Sequence, residues 1–364
     1  MRKSEAKSIM RILWWGRGDN GYSRNGVIRA CLRQTGHEIV DFRPRTHWFA
    51  DWEALLKRVA TPDLVWVPCF RQRDVLAAAR WARRKGVPLV FDPLISAWDK
   101  RVLEFGKVSA ASSAAHRLLE QERRQFAAAD VVIADTAEHA RFFREQLLVP
   151  EGKLRVVYVG ADERLFTPAP LRGLDGPLEV LFYGSMLPLQ GPRTIVEAAR
   201  LTQGEPIRWT LLGKGPQLAE CREAASGLPN VVFEEPVAYD RLCERIHRAD
   251  VLLGVFGTTE KAARVMPNKV FQALASGRTV VTRESAAYPG RARASEALAF
   301  VPPGDPPALA DAVRRLAADR EGLRIRSSAA RALFDAEFSS QVIRRQVESA
   351  LTRLISLQIY NRHK

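Results

Sequence analysis

The sequence predicts an α/β protein built from two doubly wound parallel-sheet domains. Short runs of β-branched and aromatic residues alternate with segments of helical period along the whole chain. A stretch that contains Pro and Gly, residues 166–177, interrupts this alternation near the middle. The length of 364 residues suits two domains of ordinary size. Ligands are therefore expected where loops leave the carboxyl ends of the strands in each domain.

Six strands are predicted in each half of the chain. In the first half they are RILWWG, HEIVDF, DLVWVP, PLVFDP, DVVIADT and LRVVYVG, and in the second half LEVLFYG, RWTLLG, VVFEE, DVLLGVF, RTVVTR and ALAFVPP. Helical segments such as FADWEALLKRVA and DVLAAARWARRKG lie between them. Continuous apolar strands separated by helices are typical of a parallel sheet that is covered on both faces.

The predicted domains span residues 1–168 and 169–338, with the linker at their junction. Residues 339–364 are predicted to form a C-terminal helix and tail. Their first part, 339–357, keeps an apolar stripe at helical spacing, which is compatible with packing on either domain, including a return to the first.

The composition restricts the environment and the partners. A formal net charge of +15 predicts attraction to polyanions, namely nucleotide phosphates, nucleic acid or an anionic membrane face, although a solvated arginine-rich surface explains it equally well. No apolar run reaches the length of a membrane-spanning helix, and the basic N-terminus lacks the features of a signal peptide, so a cytoplasmic location is expected. The four cysteines have no CxxC spacing and are predicted to be buried thiols.

A glycine loop follows the first strand. GRGDNG, residues 16–21, fits GxGxxG through Gly16, Gly18 and Gly21, and Asp41 ends the next strand where a ribose-binding acid would lie in a dinucleotide fold. An NAD(P)-dependent oxidoreductase is therefore one alternative. Against it, the following helix is expected to begin near Asn25, which is too late for the third glycine to pack on its first turn. The loop also suits close approach of another ligand to the backbone.

The second half of the sequence contains more loops of a kind that suits ligand binding than the first half does. Residues 256–277 are predicted to form a strand end, a basic loop and a helix whose first turn holds Asn268 and Lys269. The free N–H groups of that turn, together with Lys261 and Arg264, suit a phosphate or diphosphate. The alternative is that these cations are solvated and that Asn268 only caps the helix.

Two further loops belong to this set. One follows the first strand of the second half at Gly184 and leads to a helix with Arg193 near its start, and the other carries Lys214. All these loops follow strand carboxyl ends, which favours an anion site.

Taken together, the sequence motifs of this chain resemble those of the retaining glycosyltransferases of family 4. The resemblance covers nearly the whole chain and rests on these segments: the glycine loop at 16–21, GHEIV at 36–40, VVIADT at 131–136, VYVGADERLF at 157–166, FYGSMLPLQG at 182–191, LLGKGP at 211–216, RADVLLGVFG at 248–257 and PNKVFQALASGRTVV at 267–281. It implies the GT-B fold of two facing Rossmann-like domains. It also implies transfer of a sugar from a nucleotide diphosphate sugar, most readily a UDP- or GDP-sugar, with retention of configuration. The donor is expected on the second domain and the acceptor on the first, without a metal ion or other cofactor, and no DxD motif occurs.

Several donor-binding positions depart from the pattern of the family. Where the family commonly has an Arg and a Lys for the donor diphosphate, this chain has Ser185 and Gln190. The two family glutamates correspond to Arg264 and Gln272, of which Gln272 still suits ribose hydroxyls. Either the diphosphate cations have moved to Arg193, Lys261, Arg264 or Lys269, or donor binding is lost and the chain is a non-catalytic binding or scaffold protein with the GT-B fold.

Candidate residues on the acceptor side lie in the first half. Asp92 is the predicted catalytic residue, because it ends a strand in the region where the family often has a histidine near the sugar. The alternative is a turn carboxylate before a proline. His139 is the histidine expected near the cleft, and Asp99 with Arg101 is the expected acceptor-side pair.

Four aromatic residues of the first half bear on the acceptor class. Trp14, Trp15, Trp48 and Phe49 are interpreted as an acceptor platform or a membrane-facing patch, with core packing as the alternative for Trp14 and Trp15. Together with the basic charge they suit an anionic or lipid-linked acceptor and peripheral contact with a membrane. No specific nucleic acid is expected.

Overall fold

The computed structural model describes residues 9–18, 21–173 and 176–362. They divide into two compact units. Unit 1 comprises the described residues within Met1–Val102, Lys107–Tyr158 and Ile343–Lys364, and unit 2 comprises those within Leu103–Gly106 and Val159–Val342.

Unit 1 is built on a six-stranded parallel sheet in the order β2-β1-β3-β4-β5-β6. The strands are β1 (Arg11–Trp15), β2 (Glu38–Phe42), β3 (Leu64–Val67), β4 (Leu89–Phe91), β5 (Val131–Ala134) and β6 (Leu154–Val156). The helices between them are α1 (Ser23–Gln34), α2 (Ala50–Leu56), α3 (Val75–Lys85), α4 (Ser113–Ala127) and α5 (Ala137–Glu145). A short π-helix, Asp99–Glu104, follows β4.

Unit 2 holds a second six-stranded parallel sheet, in the order β12-β11-β10-β7-β8-β9. Its strands are β7 (Leu178–Gly184), β8 (Ile207–Gly213), β9 (Val231–Glu234), β10 (Val251–Leu253), β11 (Thr279–Arg283) and β12 (Leu298–Val301). Its helices are α6 (Pro192–Leu201), α7 (Leu218–Ala224), α8 (Leu242–His247), α9 (Glu260–Arg264), α10 (Asn268–Ala275), α11 (Gly290–Arg293), α12 (Pro306–Ala318) and α13 (Gly322–Glu337).

The last helix, α14 (Ser340–Arg362), belongs to unit 1 from Ile343 onwards. Its buried residues Ile343, Val347, Leu351 and Leu354 recur at helical spacing and join the core under one face of the first sheet. The Gln346 side chain fixes the start of the helix by accepting the N–H of Tyr158 at 3.1 Å. These contacts confirm that the C-terminal helix returns to the first domain.

Each of the twelve predicted strand segments coincides with an observed strand, although β8 begins one residue before its segment, at Ile207. The four cysteines are buried as expected. Three other expectations need correction. Helix α1 begins at Ser23, before Asn25. The predicted basic loop holds the short helix α9, because the Thr259 side chain caps it by accepting the N–H of Ala262. The chain leaves unit 1 after Tyr158, earlier than residue 168, because Phe166 is buried in unit 2 against Tyr239.

The two tryptophans of β1 are core residues on opposite faces of the sheet. Trp14 stacks on Trp66 with ring centroids 5.9 Å apart, and Trp15 packs against Phe42 and Trp81 at 4.6 and 5.6 Å. Both are essentially inaccessible to solvent. The interpretation of Trp14 and Trp15 as an acceptor platform or membrane patch is therefore wrong, since alternate strand residues here face two buried layers.

A single buried arginine ties together three segments of unit 2. The guanidinium of Arg278, at the start of β11, donates to main-chain carbonyl oxygens of the linker and of the chain ends that follow α8 and α10. Six carbonyls accept from it, those of Ala169, Pro170, His247, Ala249, Ser276 and Gly277. Removal of the guanidinium would leave these buried acceptors without their donor.

Replacement of this arginine is expected to destabilise unit 2. Arg278→Met should lower the free energy of unfolding by about 3 kcal/mol or more, because several charge-assisted hydrogen bonds are lost and buried carbonyls stay unpaired. Thermal melting followed by circular dichroism measures the effect. The matched control is Arg324→Met, which removes an exposed arginine. Equal melting temperatures for the two variants would contradict the assigned role.

Candidate functional site

The sheet of unit 2 has a topological switch point between β7 and β10. From β7 the chain proceeds outwards through β8 and β9, and from β10 it proceeds in the opposite direction through β11 and β12. The loops that leave the carboxyl ends of these two central strands diverge, which creates the crevice where doubly wound proteins bind ligands. Gly184 ends β7, and α10 follows β10 along the chain.

The side chain of Lys269 reaches this switch point from the first turn of α10. Its Nζ lies 3.7 Å from the ring centroid of Phe182 and 5.8 Å from that of Tyr183. A Cβ atom placed on Gly184 would lie 3.1 Å from Nζ of Lys269 and 2.8 Å from Nε2 of Gln190. The Lys269 and Gln190 side chains therefore converge on the end of β7, beside Gly184.

Lys269 is the most unusual charged group of the site. Its Nζ is buried, and it has no hydrogen-bond partner among the residues that the structure describes. Burial lowers the pKa of the Lys269 amine well below its ordinary value of 10.5. A buried amine without a partner is costly to the fold and is typical of functional sites. An anion bound here would supply the missing partner.

The other predicted cations of unit 2 already have acidic partners. Lys261 is buried and donates to Glu104 at 2.5 Å. Arg193 lies between Glu197 and Glu220, at 3.1 and 3.0 Å, on the outer side of α6. Arg264 lies 3.4 Å from the exposed carboxylate of Glu260. Four residues were predicted to replace the diphosphate-binding cations of the family. Three of them, Arg193, Lys261 and Arg264, have their charge offset by nearby glutamates.

Lys214 occupies the loop that follows β8, beside the end of β7. The strands pair in register up to Gly184 and Gly213. A Cβ atom on Gly215 would collide with the carbonyl oxygen of Ser185, so glycine is required where these two loops touch. Lys214 itself is exposed. An exposed cation therefore lies near the edge of the site, while the buried Lys269 lies inside it.

A hydrogen-bonded chain runs from the core to the surface beside Lys269. The buried Tyr183 hydroxyl donates to Oε1 of Gln272 at 2.7 Å, and Nε2 of Gln272 donates to the half-exposed Tyr239 hydroxyl at 3.2 Å. Burial raises the pKa of Tyr183 well above its ordinary value, so it acts as a donor. Asn268 opens α10 as its first helical residue, and the capping position belongs to Pro267. The interpretation of Asn268 as the cap is therefore wrong.

In unit 1, Asp92 is held by an arginine that the sequence analysis did not select. Arg24 Nε and Nη2 lie 2.9 and 3.2 Å from the two carboxylate oxygens, and Nη1 donates to the carbonyls of Val157 and Tyr158 at 2.7 Å. Burial acts to lower the pKa of Arg24, but the adjacent Asp92 carboxylate outweighs it and raises that pKa. Burial raises the pKa of Asp92 against the opposing charge of Arg24. Asp92 is thus engaged inside the unit at the end of β4.

A sequence signal for this arginine does exist. Arg24, Ile28, Cys31 and Leu32 recur at helical spacing, and all four are buried on the inner side of α1. An arginine on an apolar stripe predicts a buried acidic partner. Only the fold identifies that partner, because Asp92 is far from Arg24 in the sequence.

His139 lies at the neighbouring strand end. Its Nδ1 contacts the carboxylate of Asp135, which directly follows β5, and its ring stacks on Phe143 with centroids 5.8 Å apart. Because the carboxylate accepts, Nδ1 carries a proton, and this contact orients Nε2 away from Asp135. This Nε2 is buried and has no hydrogen-bond partner within the described part of the chain. The predicted pair Asp99 and Arg101 differs in burial, since Asp99 is fully buried and Arg101 is exposed on the π-helix.

The glycine loop of unit 1 departs from the dinucleotide pattern. Gly16 has φ +131°, and Gly18 lies close to Pro68 and Asn25. Gly21 precedes α1 by two residues and is exposed, while Asp19 and Asn20 lie outside the described residues.

The acid that the oxidoreductase alternative requires is already paired. Both carboxylate oxygens of Asp41 accept from Arg29, at 2.6 and 2.9 Å. Asp41 therefore has an internal partner in the position where the dinucleotide pattern needs a ribose-binding acid.

The described residues contain neither a candidate metal cluster nor a membrane-spanning helix. No group of three or more His, Cys, Asp or Glu side chains in them is arranged to hold a metal ion. No helix among them combines the length and apolar character needed to span a membrane.

Comparison with known proteins identifies the domains. Residues 23–160 match the family model described as "Glycosyl transferase 4-like domain", and residues 177–319 match "Glycosyl transferases group 1". Both units therefore carry glycosyltransferase domains. These matches, together with the paired Asp41, do not favour the oxidoreductase alternative.

Relatives and structural neighbours agree with this assignment. The chain is 30% identical over 219 residues to the putative colanic acid biosynthesis glycosyltransferase WcaL of Escherichia coli, covering 56% of this chain and 52% of the relative. It is 28% identical over 229 residues to D-inositol 3-phosphate glycosyltransferase of Rhodococcus erythropolis, covering 57% and 49%. The chain spans about half the length of these curated relatives.

The structure of Anabaena HepE in complex with UDP aligns with a TM-score of 0.70 at 16% identity, over 94% of this chain and 100% of the neighbour. At this identity the likeness concerns the fold, which is GT-B.

The Arg24–Asp92 pair is expected to behave as a structural ion pair. Asp92→Leu should lower the free energy of unfolding by about 3–5 kcal/mol, because it leaves a buried guanidinium without its carboxylate. The double variant Arg24→Met/Asp92→Leu should be more stable than Asp92→Leu, since no buried charge remains unpaired. Chemical denaturation of both variants measures this coupling. Additive losses would show that the two side chains act independently.

Replacement of Lys269 is expected to stabilise the ligand-free protein. Lys269→Met should raise the free energy of unfolding at pH 7 by about 1–3 kcal/mol, because it removes a buried amine without a partner. The gain should shrink as the pH rises through the folded pKa towards 10.5, since the wild-type amine then loses its proton and its burial costs less. Denaturation curves between neutral and alkaline pH measure the difference. A ligand-free variant less stable than the wild type would contradict this account.

Proposed function

We propose that this protein transfers a sugar from a nucleotide diphosphate sugar to an acceptor hydroxyl, with retention of configuration and without a metal ion. The observation that carries the proposal is the buried amine of Lys269, which reaches the switch point of unit 2 and lacks a hydrogen-bond partner among the described residues. Glycosyltransferase models match both units and set the reaction class. UDP and GDP are the favoured nucleotides, and HepE, with the same fold, has been solved with UDP and with UDP-glucose.

In this proposal the donor diphosphate binds between the end of β7 and the first turn of α10. Lys269 and the positive end of the α10 helix dipole attract its negative charge, and Lys214 adds a cation from the edge. Gly184 allows the close approach of the diphosphate. The amide of Gln272, already aligned by Tyr183 and Tyr239, contacts the ribose hydroxyls.

Departure of the nucleoside diphosphate is the step that these groups assist. Negative charge grows on the leaving diphosphate as the bond to the sugar breaks, and the fixed amine of Lys269 stabilises it more in the transition state than in the ground state. Fixed cations of this kind stabilise the leaving diphosphate, as a bound metal ion does in other enzymes. Retention then requires the acceptor to attack on the face from which the diphosphate departs.

On the acceptor side, His139 is a stronger candidate than Asp92. Nε2 of His139 is buried without a hydrogen-bond partner among the described residues, and Asp135 orients its ring. Both oxygens of Asp92 are engaged by Arg24. Asp99 and Arg101 lie beyond the same strand edge and remain candidates for acceptor contact. The strong positive charge of the chain suits an anionic or lipid-linked acceptor.

Nucleotide binding tests the donor part of this proposal. A thermal-shift panel of UDP, GDP, ADP, TDP and NAD in EDTA should show a selective rise in melting temperature with one nucleoside diphosphate. Lys269→Met should weaken its affinity by about 10- to 100-fold, since one buried charge-assisted hydrogen bond is lost. The control Lys57→Met removes an exposed lysine of unit 1 and should leave the affinity unchanged. Titration calorimetry gives both constants.

The same panel identifies the competing functions. A shift with NAD alone would support the oxidoreductase, and no shift with any nucleotide would support a non-catalytic binding protein. Equal affinity in Lys269→Met and wild type would remove the assigned role of the amine. With the donor sugar of the bound nucleotide, the anomeric coupling constant of the product in NMR spectra distinguishes retention from inversion.

A further inference from the structure

One face of unit 1 exposes four large apolar side chains next to one another. Trp48, Phe49, Trp52 and Leu56 lie on α2 and on the two residues before it, and they are 70%, 68%, 57% and 84% exposed. Their spacing, at i, i+1, i+4 and i+8, follows one side of the helix. We call these four residues the aromatic patch. Other exposed apolar side chains in the described residues, such as Leu148, Leu201 and Ile325, stand in separate segments of the chain.

Arginines of α3 border the aromatic patch. The guanidinium of Arg84 lies 5.2 Å from the ring centroid of Trp52, and Nη2 of Arg80 donates to the carbonyl oxygen of Trp48 at 2.9 Å. Both arginines also bind the carboxylate of Asp51, at 2.8 and 3.0 Å. The aromatic rings and the guanidinium groups thus form one continuous surface.

The charge of this surface is strongly unbalanced. Residues 43–58 and 75–86 contain eight Lys and Arg residues but only two acidic residues, Asp51 and Glu53. The Asp51 carboxylate is buried, and Glu53 is mostly buried and bound by Lys57 at 2.7 Å. Hydrogen bonds from Arg80 to Asp51 and from Lys57 to Glu53 lower the pKa values of these two acids despite partial burial, so they stay ionised. The exposed charge around the aromatic patch is therefore positive.

We propose that the aromatic patch docks unit 1 on the surface of an anionic lipid bilayer. Trp, Phe and Leu side chains on one side of a short helix enter the boundary between headgroups and acyl chains. The arginines of α3 bind lipid phosphates at the same depth, because guanidinium groups match phosphate geometry. The protruding Leu56, 84% exposed, favours a bilayer over nucleic acid, because an aliphatic side chain partitions into lipid but neither stacks on bases nor pairs with phosphates.

Vesicle flotation tests the proposal on the full-length protein. Wild-type protein should float with phosphatidylcholine vesicles that contain about 30% phosphatidylglycerol and should stay behind with pure phosphatidylcholine. Trp48→Ser/Phe49→Ser/Leu56→Ser should weaken binding to the anionic vesicles by about tenfold or more, because the apolar contribution is lost. These side chains are exposed, so the melting temperature should remain close to that of the wild type.

Matched variants separate this patch from the general positive charge. Leu148→Ser/Leu201→Ser/Ile325→Ser removes three exposed apolar side chains elsewhere and should leave binding unchanged. Arg45→Glu/Arg58→Glu should reduce binding, whereas Arg291→Glu/Arg324→Glu, with the same change of net charge, should reduce it much less.

Three outcomes would overturn the proposal. The first is an absence of wild-type binding to anionic vesicles. The second is equal binding of the aromatic-patch variant and the wild type, which would mean attraction by net charge alone. The third is loss of RNA binding, rather than lipid binding, in the aromatic-patch variant. Nucleoside diphosphate binding by each variant should match the wild type, so failure here is distinct from failure of the proposed transfer activity.

Discussion

The parallel direction of all strands is the constraint on which the rest of this structure depends. Every strand pairing in both sheets is parallel. A parallel pair needs a crossover connection, and helices supply it on both faces of the sheet. Loops and helix N-termini therefore gather at the carboxyl edge of each sheet. Gly184 and Lys269 of unit 2, and Asp92 and Asp135 of unit 1, all belong to these edges because of this topology.

The buried cations of this arginine-rich chain differ in whether the fold provides them with hydrogen-bond acceptors. Arg24 has a carboxylate and two carbonyls, Arg278 has six carbonyls, and Lys261 has a carboxylate. Such groups have exchanged water for internal acceptors, and they contribute to the fold. Lys269 has made no such exchange within the described residues, and aromatic faces offset only part of its desolvation. A bound anion would supply the partner that the described part of the fold does not.

The geometry also bears on the unusual residues at the donor positions. The family resemblance leads one to expect a lysine where Gln190 stands, and the Gln190 side chain lies against Gly184. Lys269 reaches the same glycine from α10. A positive charge can therefore occupy the same small volume from either loop. This placement favours a relocated diphosphate site over a lost one.

Local patterns in the sequence were sufficient to predict the strands. They were not sufficient to predict which side chains pair with one another at the candidate site. A parallel strand that is buried on both faces is a continuous apolar run in the sequence, independent of its neighbours in the fold. All twelve strands were therefore predicted. Lys261 and Lys269 look alike in the sequence, and only the fold shows that Glu104 binds the first of them. Trp14 and Trp48 are likewise both tryptophans beside other aromatic residues, yet one lies between packed layers and the other in solvent. Long-range packing decides such cases, and a single sequence does not contain it in readable form.

The arrangement around Asp51 shows how a fold can prepare a positive surface in advance. Two arginines share one buried carboxylate, so their side chains are ordered while a net positive charge remains. Ordering a long side chain costs free energy whenever it occurs. Here part of that cost is met on folding, and a phosphate that arrives at α3 meets guanidinium groups already in place. An unpaired surface arginine would have to be ordered at the moment of contact. The buried acid therefore orders the guanidinium groups that the proposed contact with a bilayer would use.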